Sequence, residues 1–374
     1  MKVAIVHEWL DTYAGSERVL EQLLLAWPDA DLFVVCDFLP DDERAFLGGR
    51  TPRTSFIQRL PGARKHFRKY LPLMPIAIEQ FDMTGYDLVL SSNHAVAKGV
   101  LTGPGQLHVS YVHSPMRYAW DLQHQYLRES GNDRGLKGII TRYLLHRLRI
   151  WDRSSAAGVD VLVGNSRYIA ERIRKVWRRE AEVVHPPVDI ARFALASGKQ
   201  DHFLVASRMV PYKRIELVAE AFRAMPQRRL RVIGDGANMP AVRRAAGDAP
   251  NITFLGRVDQ PTLIREMQEA AACIHAAEED FGIAIVEAQA CGTPMIAFAR
   301  GGAADIVRPP PQASPTGLLF HEQSADCLCA AVEQFVGNRA AFTPEACRAN
   351  AERFSEDLFR ERMQALVARH REAA

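Results

Sequence analysis

Short β-branched runs that alternate with helix-spaced segments constrain this chain more than any other feature. Val3-Ala-Ile-Val6 is followed by a polar, glycine-containing turn at residues 11–16, then by Val19, Leu20, Leu23, Leu24 and Trp27 at helical spacing. That is a strand, a turn and a helix. The pattern returns at 32–35, 88–90, 109–112 and 159–163, and again at 203–206, 230–233, 252–255, 272–275 and 294–297. Strands interleaved with helices build a mostly parallel sheet covered on both faces. The segment His185-Pro-Pro-Val-Asp189 ends the first series, and 374 residues exceed one ordinary core. The expectation is α/β architecture: two Rossmann-like halves, residues 1–190 and 191–354, closed by an amphipathic helix over 355–371 that carries Leu358, Met363, Leu366 and Val367. Ligands of such sheets bind beyond the carboxyl ends of the strands, so a cleft between the halves is the expected site.

Composition removes several function classes. A net charge of +3 is too small to argue for nucleic acid. The six cysteines form no C-x-x-C pair and no metal-ligand cluster, and scattered thiols fit a reducing compartment. The start of the chain lacks a signal peptide's apolar core. No apolar run approaches the roughly 18 residues of a membrane span. A cytoplasmic protein, at most peripheral on a membrane, is expected.

Chemistry concentrates after the strands of the second half. Residues 277–294 read A-E-E-D-F-G-I-A-I-V-E-A-Q-A-C-G-T-P, with Glu279 ahead of Phe281-Gly282 and Glu287 inside an apolar run. A helix beginning near Gly282 places Ile283, Val286, Glu287 and Ala290 on one face. A carboxylate on an apolar stripe needs donors. This segment alone leaves two suppliers level: backbone amides or an arginine, or the hydroxyls of a ligand such as a ribose. Glu279, with the amides of Asp280, Phe281 and Gly282, precedes a helix N-terminus suited to sugar hydroxyls or phosphate. Ser207-Arg208 and Lys213 follow the strand 203–206 with two positive charges that suit a diphosphate. Gly234-Asp-Gly236, Gly256-Arg257-Val258 and Gly301-Gly302 end three further strands, the glycines allowing backbone to approach a ligand closely.

These motifs resemble the donor-binding half of the retaining nucleotide-sugar glycosyltransferases of family 4, which have the GT-B fold. The match rests on E-x7-E with internal F-G, S-R-x4-K, G-D-G and G-R-V, in order and spacing, and it extends over essentially the whole chain. The resemblance implies that Arg208 and Lys213 hold the donor diphosphate, Glu279 and the following amides the sugar, and Glu287 the ribose. It places Gly256, Arg257 and Val258 near the base, Gly15 and Ser16 toward the diphosphate, and His113 near the transferred sugar. It also implies that the closing helix packs back on the first domain. Many members have two glycines where this chain has Ala14-Gly15, and Glu where it has Asp305. More narrowly, the stretches 91–99 and 113–122 look like bacterial O-antigen and exopolysaccharide mannosyltransferases. That implies mannose transfer from GDP-mannose to a lipid-linked glycan; a UDP-sugar donor and a non-catalytic nucleotide-sugar-binding protein are the alternatives. No cofactor or metal is expected, since the cations neutralise the diphosphate and no Asp-x-Asp cluster argues for a metal.

For the acceptor side, residues 55–78 hold Arg64, Lys65, Arg68 and Lys69 among Phe, Tyr, Leu and Ile with no acid before residue 79, and 137–153 form a second basic, apolar stretch. Both suit contact with an anionic leaflet through the first domain, at about 1 kcal/mol per basic residue near the surface. His94, in Ser91-Ser-Asn-His-Ala, is the candidate acceptor-side histidine. A nicotinamide dehydrogenase would carry G-x-G-x-x-G after the first strand, and Tyr13-Ala-Gly-Ser-Glu-Arg18 does not fit it.

Overall fold

The computed structural model describes residues 1–372. The chain divides into two compact units, one from residues 1–187 together with the chain from Phe359 onward, the other Val188–Leu358.

The first unit holds a seven-stranded parallel sheet, β1 Val3–Leu10, β2 Asp31–Asp37, β3 Arg53–Thr54, β4 Leu88–Asn93, β5 Leu107–Val112, β6 Val161–Gly164 and β7 Glu182–Val183, in the order β3-β2-β1-β4-β5-β6-β7. The second unit repeats the scheme with β8 His202–Ala206, β9 Arg229–Ile233, β10 Ile252–Gly256, β11 Ala272–His275, β12 Met295–Phe298 and β13 Gly317–Phe320, in the order β10-β9-β8-β11-β12-β13. Both are doubly wound sheets whose order reverses beside the first strand, at β1/β4 and at β8/β11.

Alternation explains the layering. In β1, Val3 and Ile5 enter one apolar layer while Ala4 and Val6 enter the layer on the other face. In β8, Phe203 and Val205 face one layer and Leu204 the other. Successive side chains of a strand point to opposite faces, so a strand covered on both sides is apolar throughout.

Three differences from the expected elements have physical causes. β1 runs on to Leu10 through His7 and Glu8, both fully buried polar residues that interrupt its apolar signature. The two-residue edge strands β3 and β7 are too short to leave a pattern. The closing helix, Glu356–Glu372, buries Phe359, Met363, Leu366 and Val367, so Phe359 takes the place expected of Leu358. Spaced i, i+4, i+7 and i+8, these four share a layer with Val3, Ile5 and Tyr111 of the first unit. Burying such side chains contributes about 2 kcal/mol each, which ties the end of the chain to the sheet that begins it.

Candidate functional site

In the second unit every sheet pairing is parallel, so the loops after β8 to β12 leave the same edge of the sheet. The β8/β11 reversal opens the crevice where doubly wound sheets take their ligands. Lys213 closes the turn Pro211–Lys213 after β8, and Arg214, in the left-handed region at φ 56°, leads into the helix Ile215–Arg223. A non-glycine residue in that region costs of order 1–3 kcal/mol and persists only where surrounding structure imposes it. Across the reversal, Lys213 Nζ donates to Glu279 Oε1. His275, the last residue of β11, sets its Nε2 3.2 Å from Glu279 Oε2. Both carboxylate oxygens of Glu279 thus face nitrogen. Burial, and next the charge of Lys213, push the His275 imidazole down to about 3, so it stays neutral. His275 was not among the expected site residues; a histidine closing the run A-C-I-H is its only trace in the sequence.

Four of the glycines lie against the backbone of neighbouring loops. A Cβ on Gly234 would fall 1.8 Å from the Ser207 carbonyl oxygen, and one on Gly236 2.4 Å from that of Met209. They let the loop after β9 lie against the loop after β8, laced by Met209 N–H to the Asp235 carbonyl at 2.9 Å and Ser207 N–H to that of Ile233 at 3.0 Å. Gly234 N–H in turn donates to the Gly256 carbonyl at 2.8 Å. Gly301 and Gly302 press on the backbone of Glu279 and Phe281, and Gly302 N–H donates to the Glu279 carbonyl at 2.9 Å. Close approach between loops is what these four glycines supply, whereas a Cβ on Gly256 would meet nothing within 4 Å. Gly301 and Gly302 fix the backbone around Glu279.

The helix Ile283–Ala290 starts behind Gly282, at φ 101°. It buries Ile285, Val286, Ala288, Gln289 and Ala290, while Glu287 lies half-buried with Ile283 and Ala284. The expected face is therefore corrected: Ile283 and Glu287 share a side, but Val286 and Ala290 belong to the core. A helix apolar almost all round gives no periodicity to orient it. The polar side chain its core must satisfy is Gln289, which donates to Thr316 Oγ1 at 3.2 Å and accepts from Asn350 Nδ2 at 2.6 Å. Phe281 is buried against Phe354, ring centroids 5.5 Å apart, so it offers a ligand only backbone. Asp280 and Val258 are half-buried, and Arg208 and Arg257 are exposed beyond β8 and β10.

In the first unit, Gly15 opens the helix Gly15–Ala26 at the exposed surface. Ser16 Oγ and the Ala14 N–H donate to Glu17 Oε2 at 2.9 and 3.0 Å. His113, half-buried after β5, sets Nε2 2.9 Å from Ser92 Oγ, which lies 3.0 Å from His7 Nδ1; His7 Nε2 is 3.4 Å from Glu17 Oε1. Burial raises the Glu17 carboxyl, but its contacts with His7 and Ser16 outweigh this and bring it down to about 2. Burial, then the neighbouring His94 and His7, push His113 down to about 3. His94 packs edge-on against Trp9 at 4.7 Å, its ring 6.4 Å from that of His113, and burial lowers it. Its peptide N–H donates to the buried Glu8 carboxylate at 2.9 Å, as do those of Ala95, Val96 and Ala97. No sequence signal marked His7, Glu8 or Ser92.

Arg64, Lys65, Arg68 and Lys69 are exposed, and Arg68 pairs with Asp11 at 2.6 Å while lying over the Phe67 ring. The helix Gly135–Ser155 exposes Leu136, Ile139, Ile140, Tyr143 and Ile150 beside Lys137, Arg142, Arg147 and Arg153. Among the described residues no helix is long and apolar enough to cross a membrane, and no three His, Cys, Asp or Glu side chains are grouped to hold a metal ion.

A family model described as Glycosyltransferase Family 4 matches residues 13–192, and one described as Glycosyl transferases group 1 matches residues 188–354. The chain belongs to glycosyltransferase family 4. This family 4 protein is similar to a GDP-mannose-dependent monoacylated alpha-(1-6)-phosphatidylinositol monomannoside mannosyltransferase of Corynebacterium glutamicum, 32% identical over 47% of this chain and 52% of that one. It spans about half the length of the curated relatives it matches. Among solved structures, sucrose-phosphate synthase from Thermosynechococcus elongatus superposes with a TM-score of 0.71 at 18% identity, covering 100% of both chains. Anabaena HepE in complex with UDP gives 0.67 at 17% identity, over 98% of this chain and 100% of that one. Both likenesses show the GT-B fold.

Proposed function

We propose that this family 4 protein is a retaining glycosyltransferase that moves mannose from GDP-mannose to a hydroxyl of a lipid-linked glycan at the inner face of the cell membrane, in the synthesis of bacterial surface polysaccharide. The observation that carries the reading is the Lys213–Glu279 pair spanning the β8/β11 reversal, where a doubly wound sheet takes its nucleotide. Arg208 and Lys213 neutralise the diphosphate, Glu279 and the amides after it grip the sugar, and Glu287 accepts the ribose hydroxyls. His113 and His94 serve the sugar and acceptor side. The sugar C1–O bond to the diphosphate breaks, with its electrons going to the phosphate oxygen. A new C1–O bond forms on the same face, and the acceptor hydroxyl's proton passes to the departing oxygen. No protein nucleophile takes part; the rate comes from stabilising the leaving charge and positioning the acceptor.

The Corynebacterium relative, named for a GDP-mannose donor and a phosphatidylinositol mannoside acceptor, supports GDP-mannose and a lipid acceptor. The exposed apolar and basic residues of Gly135–Ser155 support contact with an anionic leaflet. HepE, solved in complex with UDP, favours a UDP-sugar as the second reading.

A thermal-shift panel of GDP-, UDP- and ADP-sugars, followed by mass spectrometry of the acceptor glycan, tests the proposal. GDP-mannose is expected to give the largest stabilisation, and Glu287→Ala to weaken GDP binding in calorimetry by about 10- to 100-fold, as for lost hydrogen bonds to a charged group. Stabilisation by UDP-sugars alone would select the second reading. Indifference to every nucleotide sugar would sink both.

A further inference from the structure

His7, Ser92 and Glu17 take no part in the proposed transfer, yet they form an unbroken buried chain to His113. Resting on the reading that His113 meets the sugar, we infer that Glu17 acts through His7 and Ser92 to hold His113 in one tautomer, leaving its Nδ1 as an obligate acceptor for a ligand hydroxyl.

The direction of each bond follows from the end of the chain. Glu17 Oε2 already receives the Ala14 N–H and the Ser16 hydroxyl. An ionised carboxylate only accepts, so Oε1 must face a donor. That donor is His7 Nε2–H, at 3.4 Å. The bonds that follow are those of the neutral His7 ring, which is fully buried with Nε2 toward Glu17 and Nδ1 toward Ser92. In a neutral imidazole one nitrogen donates and the other accepts, so His7 Nδ1 is a lone pair. Ser92, also fully buried, must turn its one hydroxyl proton to it across 3.0 Å. The Ser92 oxygen is then left to accept, and the group 2.9 Å away is His113 Nε2, which therefore carries the proton. His113 Nδ1 makes no hydrogen bond among the described residues.

The His113 peptide is held on both sides, its N–H donating to the Asn93 carbonyl at 2.8 Å and its carbonyl accepting from Asn165 Nδ2 at 3.0 Å. Tyr111 and His94 pack on its ring at 5.3 and 6.4 Å between centroids. The imidazole therefore has a fixed place as well as a fixed proton. His7, Ser92 and Glu17 are positioning residues: none needs to touch the ligand, and each restricts what His113 presents to it. A ligand group that can donate, such as a hydroxyl, meets a lone pair; one that can only accept is refused.

Protein labelled with nitrogen-15 in histidine, measured by long-range proton–nitrogen correlation without substrate, tests this directly. His113 is assigned by the signal lost in His113→Asn, and thermal unfolding confirms that each variant is folded. The expected result is a wild-type His113 with its proton on Nε2, and a shift of both its nitrogen resonances toward averaged values in Ser92→Ala and in Glu17→Gln. A wild-type His113 protonated on Nδ1 would overturn the inference, since it requires every bond in the chain to run the other way. An effect of Ser92→Ala alone, or of neither variant, would also overturn it, because Glu17 would then play no part. Since no sugar or nucleotide is present, absence of transferase activity would defeat the functional reading without touching this result.

Discussion

Gly302→Ala separates a structural glycine from a functional loop more cleanly than any change to a charged residue. Gly302 lies at φ −67°, which alanine adopts freely, so the substitution introduces no backbone strain of its own. Its new Cβ would stand 2.3 Å from both Cα and the carbonyl oxygen of Phe281. Ordinary contact begins near 3.4 Å, so the two backbones must separate by about 1 Å. The opposing atoms are main chain and cannot swing aside. The segment that yields is Glu279–Phe281, whose carbonyl at Glu279 receives the Gly302 N–H. Overpacking of this kind costs typically 1–3 kcal/mol, about 2–4 °C of melting temperature per kcal/mol for a unit of this size. A misplacement of about 1 Å at a catalytic contact costs on the order of 100-fold in rate. The expectation is a folded protein, melting several degrees lower, with transfer from the donor reduced about 100-fold while GDP, which the proposed function assigns to Arg208, Lys213 and Glu287, still binds in calorimetry. Transfer at the parent rate would refute the claim that the Gly301-Gly302 turn sets the place of the Glu279 loop.

Two further outcomes follow from other parts of the molecule. Lys98 and Asp152 form a fully buried pair at 2.5 Å, and Asp152 Oδ2 also accepts from Trp120 Nε1 at 2.8 Å and Trp177 Nε1 at 2.7 Å. Asp152→Ala leaves a buried ammonium and two indole N–H groups without their acceptor, so chemical denaturation should show a loss of at least about 3–5 kcal/mol; Lys98→Met, which leaves Asp152 its two indole donors, should cost less, and the opposite order would refute this account. Reversing the charges of Arg64, Lys65, Arg68 and Lys69 together should weaken sedimentation with anionic vesicles at low salt, by about 1 kcal/mol for each residue that lies at the surface; unchanged sedimentation would remove this face from the proposed membrane contact.

Much of the second unit could be read along the chain because its chemistry is local. Arg208, Lys213 and Glu279 sit within a few residues of strand ends that announce themselves by β-branched runs, and parallel strands deliver those ends to one edge. Glu287 was legible as a residue but not as a face, because a helix apolar on nearly every side carries no phase. The first unit was harder to read. His7 and Ser92 stand 85 positions apart and meet only because β1 and β4 are neighbours in register, His7 opposite Ser92. Glu8 grips amides almost ninety residues away, and nothing near either end signals the contact.

The order of residues by itself determined two doubly wound sheets, the loops that carry charge, and the family to which the chain belongs, because hydrophobic period and turn chemistry act over a few residues. Only the tertiary structure decided that Gly234, Gly236, Gly301 and Gly302 seat one loop against another, that His275 and Lys213 face the two oxygens of Glu279, and that a buried carboxylate lies three contacts behind His113. Those facts depend on which strands are neighbours and on atoms approaching within about 3 Å, where hydrogen bonding and steric exclusion act. Spacing along a chain does not encode distances of that kind.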